Sequence, residues 1–104
     1  MDERFGRLRP ADVSKLESLI DWFAKAGFRC GLHGTSLWNA KYKDIDLLVF
    51  SSKPKSDSFL RTFNKVLKLS GATLIEQRGN SQIGFDMDVR WGRTIFHLSY
   101  VVVL

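Results

Sequence analysis

The sequence has one cysteine, Cys30, so it cannot form an internal disulfide. Cys30 lies in an apolar, strand-like stretch, and both points fit a reducing compartment, with the cytoplasm as the expected location. No apolar run approaches the roughly 20 residues that a membrane-spanning helix needs. The opening MDERFGRLRP is charged and lacks the apolar centre of a signal peptide. No Cys/His set has zinc-ligand spacing. No Gly-Lys-Ser/Thr marks a Walker loop. Basic residues are scattered, and no block of them names a nucleic-acid surface. Repeats, linkers and low-complexity segments are missing too. These absences argue against a disulfide scaffold, a helical membrane span, a zinc centre and a P-loop enzyme.

What remains is 104 residues, 44% hydrophobic and 12% aromatic. That is one domain, residues 1–104, with enough apolar side chain for a core. Residues 1–11 read as a loose basic lead-in ending near Pro10. The net charge of +5 suits phosphate-rich partners such as nucleotides, RNA, DNA or anionic lipid, and serves solubility equally well.

Leu16, Leu19, Ile20 and Phe23 share one face of a helix, with Trp22 beside it. Ser14 with Glu17 fits a capping box, Asp12 is the alternative cap, and Gly27 ends the helix. Phe28–Leu32 is a short strand in which Gly31 suggests close backbone approach. Ile45–Phe50 is nearly all apolar, the pattern of a strand buried on both faces. A second helix runs from about Asp57 to Ser70, burying Leu60, Phe63, Val66, Leu67 and Ser70, and ends at Gly71. Strands follow at Thr73–Arg78, Ile83–Arg90 and Thr94–Val103, with turns at Gly79-Asn80-Ser81 and Trp91-Gly92-Arg93. The expected fold class is α+β: a mixed sheet of about five strands with two helices on one face. A chain ending on a strand suggests truncation, or an edge completed by a partner.

Function is concentrated in Gly31–Ser52. His33-Gly34-Thr35-Ser36 forms a glycine–hydroxyl turn whose N–H groups can cradle phosphate, or an ordinary turn with a helix cap. Asp44 and Asp46 alternate on a strand, so both face one side about 6–7 Å apart. Such a pair can reach two divalent ions about 3.5–4 Å apart. Oxygen donors alone favour magnesium or manganese over zinc. In Phe85-Asp86-Met87-Asp88-Val89-Arg90 the acids and Arg90 share one face and the apolar residues the other. These acids converge on Asp44 and Asp46 if that strand lies beside Ile45–Phe50; otherwise they are ion-paired on a solvated face. Lys43 contacts phosphate or is a solvated flank. His33 suits a structural hydrogen bond, and His97 reads as a satisfied mid-strand histidine. Trp38 and Tyr42 stack on a base or close the core beneath their loop.

Gly34-Thr35-Ser36, then Asp44-Ile45-Asp46 in an apolar strand, then a later acid, resembles the nucleotidyltransferase superfamily with the polymerase-beta-like fold. The resemblance covers most of residues 12–90. Thr35 departs from the usual Gly or Ser, with Ser36 able to take its place, and the third acid is Asp88, with Asp86 as rival. The resemblance implies transfer of a nucleoside monophosphate from an NTP to an acceptor hydroxyl, releasing pyrophosphate. It implies that Asp44, Asp46 and Asp88 hold two Mg2+ (or Mn2+) ions. It also implies that Gly34, Thr35 and Ser36, with Lys43 nearby, contact the triphosphate. The acceptor would be a protein, an RNA or a small molecule. Small members pair with helical proteins in toxin–antitoxin systems, so a helical partner or a homodimer is expected, and no membrane. The alternative is a non-catalytic module of the same fold, an antitoxin, adaptor or basic RNA-binding domain.

Overall fold

The computed structural model describes residues 8–33, 44–53, 55–81 and 84–103. Helix α1 spans Pro10–Lys25. Proline suits the first helical position, where its missing N–H costs nothing. The N-cap is Arg9, with no side-chain cap bond. This corrects the expected caps. Ser14 lies inside the helix, and Asp12 is buried in its first turn. There Asp12 accepts hydrogen bonds from Arg9 Nε (3.1 Å) and from the Thr94 hydroxyl. Lys15 Nζ reaches Thr94 Oγ1 (3.1 Å) and the Trp91 carbonyl (3.0 Å), so α1 is pinned to the sheet by a polar cluster as well as by packing.

At the other end Gly27, at φ +93°, donates to the Ala24 carbonyl, and Phe28 donates to the Phe23 carbonyl. This is a Schellman closure, which turns the chain back through a left-handed residue that glycine adopts without strain. Its usual apolar clasp is present: the Phe23 and Phe28 rings meet edge to face at 6.1 Å.

Strand β1 (Arg29–His33) pairs antiparallel with β2 (Asp44–Ser51). Helix α2 (Ser56–Ser70) ends at Gly71, whose N–H donates to the Leu67 carbonyl. The chain then runs through β3 (Thr73–Ser81), β4 (Gly84–Trp91) and β5 (Thr94–Val102). The sheet order is β1-β2-β5-β4-β3. β2 and β5 are parallel and the other neighbours antiparallel. The expected α+β class, five-stranded mixed sheet and two helices on one face are all found.

One face of the central strands is core: Ile45, Leu47 and Val49 from β2, Phe96, Leu98 and Tyr100 from β5, and Phe85, Met87 and Val89 from β4. The helices cover it with Leu16, Leu19, Phe23, Phe59, Phe63 and Val66. β2 therefore alternates, with one face buried and the other half-open, and is not the doubly buried strand its apolar run suggested. Phe59 is the centre of the core. Its ring stacks on Phe23, Phe63, Phe85 and, at 4.6 Å, Tyr100. The Tyr100 hydroxyl sits between the Ser51 hydroxyl (3.0 Å) and the Lys55 N–H (2.9 Å), which satisfies a buried polar atom.

Two further expectations need correction. A Cβ on Gly31 would meet no atom within 4 Å, so no close backbone approach explains that glycine. The tight position is Gly84, where a Cβ would come within 2.8 Å of the Tyr100 carbonyl oxygen. Residues 79–81 are not a turn: β3 continues to Ser81, with a register shift between Arg78 and Ser81 and Gly79 at φ +79°. The Gly92-Arg93 turn between β4 and β5 is as expected, with Trp91 facing Thr94.

Replacing Phe59 with alanine should cost about 3–5 kcal/mol, the range for a large buried aromatic. Removing only the hydroxyl in Tyr100→Phe should cost about 1–3 kcal/mol, because Ser51 and the Lys55 N–H lose a partner. Urea unfolding followed by circular dichroism would measure both.

Candidate functional site

The open face of the sheet carries the polar side chains. On β2 these are Asp44 and Asp46, both half-buried. Core residues alternate with them, so the two acids share a face as the strand period requires. On β4 the open-face side chains are Asp86, Asp88 and Arg90, and on β5 they are Ile95, His97, Ser99 and Val101. The split of β4 into an acid face and an apolar face is as expected.

The strand order changes how the acids meet. β4 does not lie beside β2; β5 is inserted between them. The condition for direct convergence of Asp86 and Asp88 on Asp44 and Asp46 is therefore not met, and the alternative, acids paired across strands on an open face, is what is found. Asp46 is opposite His97, and His97 is opposite Asp88. The same row extends to His33 on β1 and Glu76 on β3. Two strand spacings separate the backbones of Asp46 and Asp88, about 9.5 Å. Asp86 lies in the next row, facing Ser99, which is itself paired with Leu48. Asp88 is thus the β4 acid closer to the β2 pair.

The row is linked by hydrogen bonds. His97 Nδ1 donates to Asp88 Oδ1 at 2.6 Å. Arg78 Nη1 reaches Asp88 Oδ2 at 3.3 Å and Glu76 Oε2 at 2.8 Å. The Ser99 hydroxyl donates to Asp86 Oδ1 at 2.8 Å, and His97 Nε2 is 3.7 Å from that oxygen. Partial burial pushes the Asp88 carboxyl up, but the hydrogen bonds from His97 and Arg78, with the charges behind them, outweigh it and hold it below the usual carboxylate range. Arg78 is raised above its ordinary value, first by its bond to Asp88.

His97 is a bonded mid-strand histidine, as its position suggested. The ion pairing of the β4 acids takes a cross-strand form, Asp88 with Arg78 on β3. Sequence reasoning missed Arg78 and Ser99, because only the pairing register brings them to the acids. Cys30 is a free thiol pushed up to about 12 by burial. It therefore stays protonated at neutral pH and is a poor nucleophile.

Gly34, Thr35, Ser36, Trp38, Tyr42 and Lys43 lie outside the described residues. His33 is the last residue of β1. Among the described residues, no three His, Cys, Asp or Glu side chains stand gathered around a metal position. The donor chemistry of Asp44 and Asp46, two adjacent carboxylates on an open face, still fits a hard divalent cation. No helix among the described residues is long and apolar enough to cross a membrane.

No family model matches the chain, and no curated protein does. Solved structures do. A structure of Cid1, described as an RNA terminal uridylyl transferase, aligns with a TM-score of 0.68 at 15% identity, over 96% of this chain and 32% of that one. A structure of the Cid1 poly(U) polymerase with MgGTP bound aligns with a TM-score of 0.59 at 11% identity, over 89% of this chain and 33% of that one. The chain thus spans about a third of the length of the solved chains it matches.

The Asp88 linkage predicts a specific acid response. A carboxyl whose folded pKa is depressed stabilises the fold above its unfolded pKa, and loses that contribution as pH falls through the folded value. Asp88→Asn should be less stable than wild type at neutral pH, and the gap should close below pH 3.8, the ordinary value for this group. Thermal melts of both proteins across the acid range measure it.

Proposed function

Because the chain has the polymerase-beta-like nucleotidyltransferase fold, we propose that it is a divalent-cation-dependent nucleotidyltransferase. It would move a nucleoside monophosphate from an NTP to an acceptor hydroxyl, with release of pyrophosphate. The observation that carries this reading is the placement of Asp44 and Asp46 side by side on the open face of β2. Magnesium or manganese bound there would neutralise triphosphate charge and lower the pKa of the attacking hydroxyl. Positioning and charge supply most of the acceleration in such in-line phosphoryl chemistry.

The residues have distinct tasks in this reading. Asp44 and Asp46 hold the cations. Asp88 is the third acid of the site, in Asp46's row, and Asp86 is set one row back. Gly34, Thr35 and Ser36 cradle the triphosphate, and Lys43 adds a charge at its edge. The acceptor is a protein, an RNA or a small molecule. A helical partner or a second copy would complete the site, and the setting is the cytoplasm.

One observation favours a second reading, a non-catalytic binding module such as an adaptor or antitoxin. Among the described residues, the open face of β5, which adjoins β2, carries no carboxylate, and Asp88 is already paired with His97 and Arg78.

Calorimetric titration with ATP, GTP, CTP and UTP in the presence of Mg2+ separates the two. The transferase reading expects magnesium-dependent binding of at least one nucleotide, lost in Asp44→Asn/Asp46→Asn while circular dichroism stays unchanged. Failure to bind any of the four favours the binding module.

A further inference from the structure

We infer that the groove between α1 and α2 is a docking site for an acidic amphipathic helix of a partner protein. The groove lies in the helix layer, on the opposite side of the sheet from Asp44 and Asp46. Docking there is therefore independent of the cation role proposed for those acids.

Buried beneath the groove, Phe23 of α1 stacks on Phe59 of α2 at 5.6 Å. The groove has a volume of about 480 Å3, within the roughly 300–1,000 Å3 of sites that enclose a ligand. Its apolar lining is Trp22 and Ala26 from α1, and Val66 and Leu69 from α2. Residues at these spacings share a face, so each helix offers an apolar pair to the same occupant. Leu69 is 59% exposed, the most open large apolar side chain among the described residues. A partner helix that lays leucine-like side chains at i, i+3, i+4 and i+7 into such a groove takes this surface out of water.

Arg61 and Lys65 stand one turn apart on α2 and line the same groove. Like charges at that spacing repel. Among the described residues neither cation forms an ion pair with a carboxylate, Asp57 one turn earlier included. On the α1 side Lys25 is already paired with Asp21 at 3.0 Å. The uncompensated charge of the groove is therefore positive and confined to its α2 wall. Carboxylates three or four residues apart on a partner helix have the spacing of Arg61 and Lys65 and relieve their repulsion.

The same two cations attract phosphate, but the rest of the groove does not suit a nucleic-acid strand. Single strands stack successive bases on aromatic faces along a basic track. Here the lining has one aromatic side chain, Trp22, which is already stacked on Trp91 at 5.8 Å. The remaining apolar lining is aliphatic.

The test uses the full chain labelled with nitrogen-15 and a synthetic helical peptide of about 20 residues. The peptide carries leucines at i, i+3, i+4 and i+7, flanked by glutamates. An NMR titration maps the contact and gives the affinity. Shifts should cluster on Trp22, Ala26, Arg61, Lys65 and Leu69, and leave Asp44, Asp46 and His97 unmoved. Arg61→Glu/Lys65→Glu and Leu69→Ser should each weaken binding about tenfold or more. Lys53→Glu/Arg90→Glu, the same change of charge on exposed residues outside the groove, should leave it unchanged. A peptide of the same composition in scrambled order, and one with lysines for the glutamates, should bind about tenfold more weakly or worse. Equal binding of either control peptide, shifts centred elsewhere, or undiminished binding to Arg61→Glu/Lys65→Glu overturns the docking site, as does no binding of the acidic peptide. An RNA of about 15 uridines that binds this groove more tightly than the peptide overturns it in favour of a nucleic-acid site. Circular dichroism on each variant separates lost binding from lost fold.

Discussion

The insertion of β5 between β2 and β4 is the constraint on which the site depends. It makes β5 the parallel partner of the strand bearing Asp44 and Asp46, and the antiparallel partner of the strand bearing Asp86 and Asp88. Among the described residues of β5, His97 is consequently the one in register with an acid on each side. Its 2.6 Å bond to Asp88 fixes the ring toward β4 and links the two acid-bearing strands through one imidazole. The charge pattern follows from this: Asp88 is compensated by His97 and Arg78, while Asp44 and Asp46 sit on the far side of β5.

The same strand serves two faces. Phe96, Leu98 and Tyr100 point into the aromatic core, and His97 and Ser99 point to the open face. Tyr100 stacks on Phe59 at 4.6 Å, and its hydroxyl fixes the start of α2 through the Lys55 N–H. Thr94, at the start of β5, ties the first turn of α1 through Asp12 and Lys15. Core packing and these terminal polar contacts therefore set the register that places His97.

Much of this was legible in the sequence. Periodicity located both helices and all five strands, and it divided β4 into an acid face and an apolar face. The Gly34-Thr35-Ser36 and Asp44-Ile45-Asp46 pattern pointed to the fold that the likeness to Cid1 supports. The illegible part was pairing. Sequence does not say which strand lies between which, so it left open whether Asp88 would meet Asp46 directly; His97 stands between them. Arg78 went unnoticed for the same reason: its partner is ten residues away across a bulged hairpin. The N-cap of α1 was missed because Asp12 finds a tertiary partner in Thr94, and a local capping rule cannot anticipate that. Phe59 was passed over in favour of its neighbour Leu60, since adjacent apolar residues leave the exact centre of a helical stripe undecided.

The most direct test of this account is a solution NMR measurement of the row itself. Amide and α-proton contacts should connect Asp46 with His97 and its neighbours across β2 and β5, and His97 with Asp88 across β5 and β4. Nitrogen shifts of the neutral His97 ring should show the proton on Nδ1, with a scalar coupling or protected proton marking its bond to Asp88. Direct contacts between β2 and β4, or a proton found on Nε2, would contradict the account, because Asp88 would then not orient His97 and the two acid strands would not be joined through it.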